Sequence, residues 1–408
     1  MRILRVVSSL NPAAGGVVEA VRSTTIGLMD LGHEVEVVTL DKEGQAFLSD
    51  FPCLVHPVDR WFRKYGYTPK LTQWIAQHGG EYDVGVIEGL WNHASIGGYQ
   101  GMKSANLPYI VFPHGMMDPW FRVQSPVKHV AKQFFWWVFQ GRVLGGAKAV
   151  AFTCDEERRS ARNVFWGPAY TEETIPLGIP DVPPFSQNQA RCFLELVPAV
   201  KGRRYALFMS RIHPKKGCDL LIEAFSKVAD EHPDLDLVMA GPDQLGWKAE
   251  LVELSHKLGI ASRIHWPGML EGDAKWGAVY EADVFVLPSH QENFGLVIPE
   301  AMACGTPVLT TRRVNIWREV EETGAAIIKE DTREGVLDLL QSWNRLPILE
   351  KNNFKIAARQ GFLNQFHIDG SVRRLADLLE KSARPPSGAD RTLSALSQSM
   401  HLSKGFSA

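Results

Sequence analysis

A chain of 408 residues that is 45% hydrophobic and 22% charged has the make-up of an ordinary globular protein, yet exceeds what one hydrophobic core usually serves, so two domains are expected. A formal net charge of -2 gives no pull toward a nucleic-acid backbone, and no nucleic-acid partner is expected. Cys53, Cys154, Cys192, Cys218 and Cys304 lack CxxC spacing, which points to reduced cytosolic thiols and away from a disulfide framework or a zinc site.

The opening run MRILRVVSSL is too short for the apolar region and cleavage site of a signal peptide, and nothing approaches the roughly 18 apolar residues of a membrane span. Residues 3–10 predict a strand, the following NPAAGG a glycine-bearing turn, and VVEAVRSTTIGLMDLG a helix that closes on Gly32. HEVEVVTLD completes a β-α-β unit. Further strands are expected at 83–89, 108–115 and 149–153, with one helix over 128–144 between the last two. The segment 175–189, rich in proline, reads as a hinge. The pattern then restarts, with strands at 205–212, 235–241, 263–268, 283–289 and 306–311 separated by helical runs such as KKGCDLLIEAFSKVADEH. Near-continuous apolar strands of this kind belong to parallel sheets covered on both faces. From residue 385 the chain is polar and rich in Pro, Gly and Ser, and is expected to be poorly ordered.

Ligands of open α/β sheets bind beyond the carboxyl ends of strands, where each candidate below lies. Gly15 and Gly16 form either a tight turn or a loop that lets backbone approach a ligand; without a GxGxxG pattern, a nicotinamide dinucleotide is not favoured. His114 ends a strand beside Gly115, as a structural hydrogen-bonder or as a functional group. SRIHPKKG (210–217) is either a solvated basic loop or a diphosphate clamp, and its strand-end position favours the clamp. In HQENFGLVIPEAMACG a helix is expected to begin near Gly295, so that the amides of Phe294, Gly295, Leu296 and Val297 face the strand end. Glu292 and Glu300 would then reach one ligand from two sides, accepting hydrogen bonds from paired hydroxyls such as those of ribose or a sugar.

Taken together, the GG loop, LGHEVEVVT, HG at 114–115, SRIHPKKG, MAGPD, AMACGTPVLTT and above all the spacing from Glu292 to Glu300 resemble the retaining glycosyltransferases of family 4, whose signature is E-x7-E. That group includes bacterial hexosyltransferases of exopolysaccharide and glycolipid assembly. The resemblance covers roughly residues 1–380. It implies the α/β GT-B fold, two doubly wound Rossmann-like domains facing an interdomain cleft: 1–180 on the acceptor side, 181–365 for the nucleotide sugar, 366–384 as a helix crossing back, and 385–408 as a flexible tail.

The resemblance also implies roles. Glu300 would bind ribose hydroxyls and Glu292, beside Asn293, the donor sugar. Arg211 and Lys216, with the amides of Gly295 to Val297, would hold the diphosphate and stabilise its departure. Gly268 and Leu270 would border the base, His114 would touch donor sugar or phosphate, and Gly16 would border the diphosphate. No acidic pair follows a strand where a metal-bridged diphosphate needs one, so a metal-independent enzyme without a cofactor is expected.

The acceptor would be a saccharide or lipid-linked saccharide hydroxyl; EGLWNH, WFRKYGY and PHGMMDPWF on the acceptor side match only a subset of the family and do not fix which one. An epimerase acting on a UDP-sugar and a non-catalytic nucleotide-sugar-binding subunit are the rival readings. The helix 128–144 carries Phe134, Phe135, Trp136, Trp137 and Phe139 with Lys128, Lys132 and Arg142 on its flanks. It is either a core helix or a peripheral contact of a cytoplasmic protein with the inner face of a membrane.

Overall fold

The run RILRVV has aliphatic residues at four of its six positions with little alternation, and five of the six, Arg5 among them, are buried, as a strand covered on both faces requires. In the computed structural model, which describes residues 1–61, 65–119, 122 and 126–385, it is β1 (Arg2–Val7). It lies within a sheet completed by β2 (Glu34–Thr39), β3 (Leu54–Pro57), β4 (Val84–Glu88), β5 (Tyr109–Phe112), β6 (Ala149–Phe152) and β7 (Glu172–Thr174), in the order β3-β2-β1-β4-β5-β6-β7.

A second sheet holds β8 (Arg204–Met209), β9 (Leu235–Ala240), β10 (Ile264–Gly268), β11 (Val284–Leu287), β12 (Val308–Thr311) and β13 (Ala326–Lys329), in the order β10-β9-β8-β11-β12-β13. The strand pairings in both sheets are parallel. This is the architecture of two doubly wound α/β domains. Strand order reverses between β1 and β4 and again between β8 and β11, so each sheet has a switch point where the loops diverge and leave a crevice.

Three strands escaped the sequence pattern. β3, β7 and β13 are edge strands of three or four residues, too short for a hydrophobic period to register. The single helix expected over 128–144 is instead helical from Pro126 to Phe135, passes through a π turn at Trp136–Gln140 and closes at Gly141–Gly145. Trp136 at the start of that turn is 1% exposed and stacks on Phe165, whereas Phe134 and Trp137 are 66% and 53% exposed. Core and surface readings therefore each hold for different residues of the same segment.

Within the proline-rich segment Ile179 pairs with His367, and the helix Ile368–Ser382 lies against the helix Gly16–Asp30. Val372 fills the space a side chain at Gly27 would need, 2.5 Å from the position of its Cβ. Val372, Leu375 and Leu379 join Ile3, Val84 and Ile110 in one buried cluster, so the C-terminal helix is part of the first domain's core. The tail expected to be poorly ordered lies, beyond Pro385, outside the described residues, as do Trp120 and Phe121.

Candidate active site in the interdomain cleft

At the switch point of the second sheet the loops after β8 and β11 lean on each other. His213 accepts the Lys215 amide through Nδ1 at 3.0 Å and starts a short turn over Pro214–Lys216. Gly217 follows at φ 65°, so close to β11's exit that a Cβ there would lie 2.2 Å from the Pro288 carbonyl oxygen. Only glycine meets both demands. The turn aims Lys216, 5% exposed, at the Glu292 carboxylate, whose Oε2 it engages. Glu292 is fixed through its backbone, its amide donating to the Arg313 carbonyl and its carbonyl accepting from the Asn315 amide, each at 3.0 Å. Arg211 is exposed and forms no hydrogen bond or ion pair with another described residue.

The helix expected to begin near Gly295 begins at Val297, because Gly295 sits at φ 72°, outside the helical region. Its first backbone bonds are Ile298 to Gly295 at 2.8 Å and Glu300 to Leu296 at 3.1 Å, which leaves the amides of Gly295, Leu296 and Val297 ahead of the ladder. Phe294 is 5% exposed with its ring 6.3 Å from that of Phe366, so its side chain packs in the interior while its amide stays in the loop just ahead of the three.

Glu300 lies one turn inside this helix, and its Oε1 accepts from Lys275 Nζ at 2.7 Å. Burial pushes its carboxyl above the usual range, Lys275 opposes that push, and the charge of Glu19 on the facing helix adds to it. Its Oε2 is buried and has no hydrogen-bond partner among the described residues. Such an orphaned acceptor is costly unless a ligand supplies a donor. Gly268 ends β10 at φ 80° with open space where a Cβ would stand, its carbonyl accepts the Gly241 amide at 2.7 Å, and Leu270 beyond it is 6% exposed.

The first domain faces this wall with its own strand ends. Leu296 Cδ1 lies 3.4 Å from the position of a Cβ at Gly16, so the GG loop and the Gly295–Val297 amides confront each other across the cleft. His114, held at φ 49°, donates through Nε2 to the Glu88 carboxylate, 2.6 Å from Oε2. Glu88, wholly buried, also takes Arg5 through Oε1, and Arg5 is anchored on Thr24 and Thr25. Burial alone would raise the Glu88 carboxyl, but the Arg5 guanidinium and the His114 hydrogen bond bring it down to about 2. A further chain crosses the domains: Asn293 Nδ2 donates to Thr153 Oγ1 at 3.1 Å, Thr153 donates to the buried Glu157 at 2.6 Å, and Glu157 also accepts the Gly115 amide. Arg318 and Glu156 form an interdomain ion pair at 3.0 Å.

The structure thus gathers Gly16, His114, Lys216, Glu292, Asn293, Gly295, Leu296, Val297 and Glu300 around one cleft, with Arg211 on the same strand-end loop as Lys216. Sequence reasoning missed Lys275, Arg5, Glu88, Thr153 and Glu157. An acid closing an apolar strand, as Glu88 does in VGVIE, was a readable signal; Lys275 in a mixed helix gave none. Among the described residues no group of three or more His, Cys, Asp or Glu side chains is placed to hold a metal ion.

Comparison with known proteins gives consistent findings. Residues 15–178 match the family described as glycosyl transferase 4-like domain and residues 197–361 that described as glycosyl transferases group 1; between them these take in most of the chain. Among curated relatives, the lipopolysaccharide core biosynthesis mannosyltransferase LpsB of Rhizobium meliloti is 31% identical over 50% of this chain and 58% of its own length. A D-inositol 3-phosphate glycosyltransferase of Mycolicibacterium gilvum is 38% identical over 31% of this chain and 28% of its own. The matches thus span about half or less of those relatives. The solved structure of Anabaena HepE in complex with UDP and glucose is 18% identical, with a TM-score of 0.73 over 93% of this chain and 100% of that one, a likeness of fold alone. A glycosyltransferase from Rickettsia africae is 17% identical with a TM-score of 0.76, over 93% and 98%.

Proposed function

The chain belongs to the group 1 glycosyltransferases with a family-4-like first domain, and from that premise we propose that its cleft moves a hexosyl unit from a nucleoside diphosphate sugar to a hydroxyl of a saccharide or lipid-linked saccharide. The observation that carries this reading is the orphaned Oε2 of Glu300, one helical turn beyond three amides that precede the helix ladder. Together they offer an acceptor for ribose and donors for phosphate within one short segment.

The residues support a division of labour. Glu300, steadied by Lys275, takes the ribose. Lys216 and Arg211 with the three amides receive the diphosphate, and Glu292 takes a hydroxyl of the sugar. In the transfer, the bond from the anomeric carbon to the diphosphate oxygen breaks and a bond from that carbon to the acceptor oxygen forms. The acceptor proton passes to the departing phosphate, which leaves on the same face and so retains configuration. Positioning and stabilisation of the leaving charge supply the rate, with cationic side chains in the role a metal takes elsewhere.

A thermal-shift screen of UDP-, GDP- and ADP-sugars tests donor binding; a ligand at 100 times its dissociation constant stabilises by about 2.7 kcal/mol. Activity toward an acceptor saccharide that persists in EDTA is the expected result. No shift with any nucleotide sugar would end the donor-site reading. Conversion of a UDP-sugar to its epimer without acceptor would select the epimerase, and binding without turnover the non-catalytic subunit.

A further inference from the structure

The aromatic helix of the first domain turns one face to the core and another away from every other described element. Val127, Val130, Phe134 and Trp137 recur at intervals of three, four and three residues, one stripe of a helix, and are 84%, 69%, 66% and 53% exposed. Gln133 exchanges two hydrogen bonds with the backbone of Trp166, at 2.8 and 3.0 Å, which places that residue, 71% exposed, beside the stripe. Lone exposed apolar residues need no explanation, but a contiguous aromatic-rich strip does.

Charge identifies the occupant. Between Asp118 and Asp155 the sequence has no Asp or Glu, while Arg122, Lys128, Lys132, Arg142 and Lys148 are all basic, in a chain whose net charge is -2. Lys128, near the start of the segment, and Arg142, near its end, are both exposed, whereas Lys132 lies with Nζ 4.5 Å from the Trp91 ring centroid. A second copy docking through the same face would oppose like charges with no acid in the segment to pair them, which is destabilising.

We propose that this face rests on a bilayer carrying anionic lipid, with Phe134 and Trp137 at the boundary of headgroups and acyl chains and with Lys128 and Arg142 among the lipid phosphates. The helix is tied to the cleft. Gln140 accepts the Trp91 amide at 3.0 Å, and the Trp91 ring nitrogen donates to the Met116 carbonyl at 2.9 Å. These are the loops after β4 and β5, whose neighbours are Glu88 and His114. A lipid-linked acceptor held in the bilayer would therefore meet the protein at the end of the sheet where the cleft opens.

The test is co-sedimentation with vesicles of phosphatidylcholine alone and of phosphatidylcholine with phosphatidylglycerol, at low and high salt. Wild-type protein is expected to bind the anionic vesicles and to be released by salt. Phe134→Ser/Trp137→Ser should abolish binding. Lys128→Gln/Arg142→Gln should weaken it about 25-fold, roughly five-fold per cation removed. Ile348→Ser/Leu349→Ser, at exposed positions in the other domain, should bind as wild type. All the substituted side chains are exposed, and an unchanged melting temperature confirms folding. Absence of wild-type binding at low salt overturns the proposal, as does retention by Phe134→Ser/Trp137→Ser. Self-association without vesicle binding, lost in that variant, would assign the face to a second copy instead. Because the assay contains neither donor nor acceptor, its failure leaves the transferase reading standing.

Discussion

Replacing Glu300 by alanine is the most direct probe of the site, because the structure separates the two oxygens of its carboxylate. Oε1 is committed to Lys275, and Oε2 is buried without a partner among the described residues. A ribose hydroxyl donating to Oε2 makes a hydrogen bond to a charged group, worth about 1.5 to 3 kcal/mol, so Glu300→Ala should weaken nucleotide binding about 10- to 150-fold. The bond exists in ground and transition states alike, so the loss should appear in KM for the donor, with kcat little changed. Calorimetric titration with a nucleoside diphosphate and its 2′- and 3′-deoxy analogues forms a cycle. The deoxy analogue that removes the donating hydroxyl should lose affinity with wild type and nothing more with the variant. Fully additive losses for both analogues, or an unchanged donor KM in a folded variant, would refute the assignment. Burial also raises this carboxyl, so its stabilising contribution is whole below the unfolded value of 4.5 and is lost as pH rises through the higher folded value. The stability of wild type relative to Glu300→Gln should accordingly fall as pH rises from 4.5.

The remaining expectations concern groups that face the cleft from other sides. Glu88, brought down to about 2 from 4.5, has the opposite slope: its contribution, about 3 kcal/mol, is present above 4.5 and lost as pH falls through about 2. Acid unfolding followed by circular dichroism should therefore show wild type and Glu88→Gln converging over that window, and parallel curves would contradict the buried ion pair. Arg211→Ala should lower kcat on the order of 10²-fold without loss of thermal stability, since the side chain is exposed and unpaired among the described residues. Lys216→Ala should lower both, because it strands Glu292; normal kcat in both variants would make the loop a solvated surface. Gly115→Ala places a Cβ 2.7 Å from Asn293 Cγ at a φ of 75°, and should raise KM by prising the domains apart, with small-angle scattering showing a larger radius of gyration than wild type. An unchanged radius and KM would remove Asn293 from the closure.

How much of this was legible depended on whether a feature is local. The parallel strands β1, β4, β8 and β11 announce themselves by apolar runs, interrupted inside a strand only by Arg5, and the loops at their carboxyl ends carry the glycines and charges that mark Gly16, Lys216 and Glu292. The spacing from Glu292 to Glu300 is likewise a property of one segment. What pairs with those residues is not: Lys275 meets Glu300 across 25 residues of sequence, Arg5 meets Glu88 across 83, and Asn293 meets Thr153 across 140. No local period encodes such meetings, which arise when the sheet order sets strand ends side by side. The onset of the helix at Val297 was misread for a local reason, since the amphipathic pattern extends back past Gly295 and only the backbone angle shows where the ladder stops.

The two glutamate–lysine pairs also bear on which ligand the cleft prefers. Lys216 is held by Glu292 and Lys275 by Glu300, so neither lysine stands as an isolated cation for a passing phosphate. A nucleoside diphosphate that draws Lys216 away strands the Glu292 carboxylate, whose side chain is 20% exposed and so only partly solvated. A nucleoside diphosphate sugar brings phosphate for the lysine and hydroxyls for the glutamate together, satisfying both partners in one event. The intact donor should on this account bind more tightly than the diphosphate product, an order that two titrations can reverse or uphold. That order favours release of the diphosphate once the sugar has gone. On the proposed function, the same short-range pairing that favours the intact donor would also favour departure of the diphosphate.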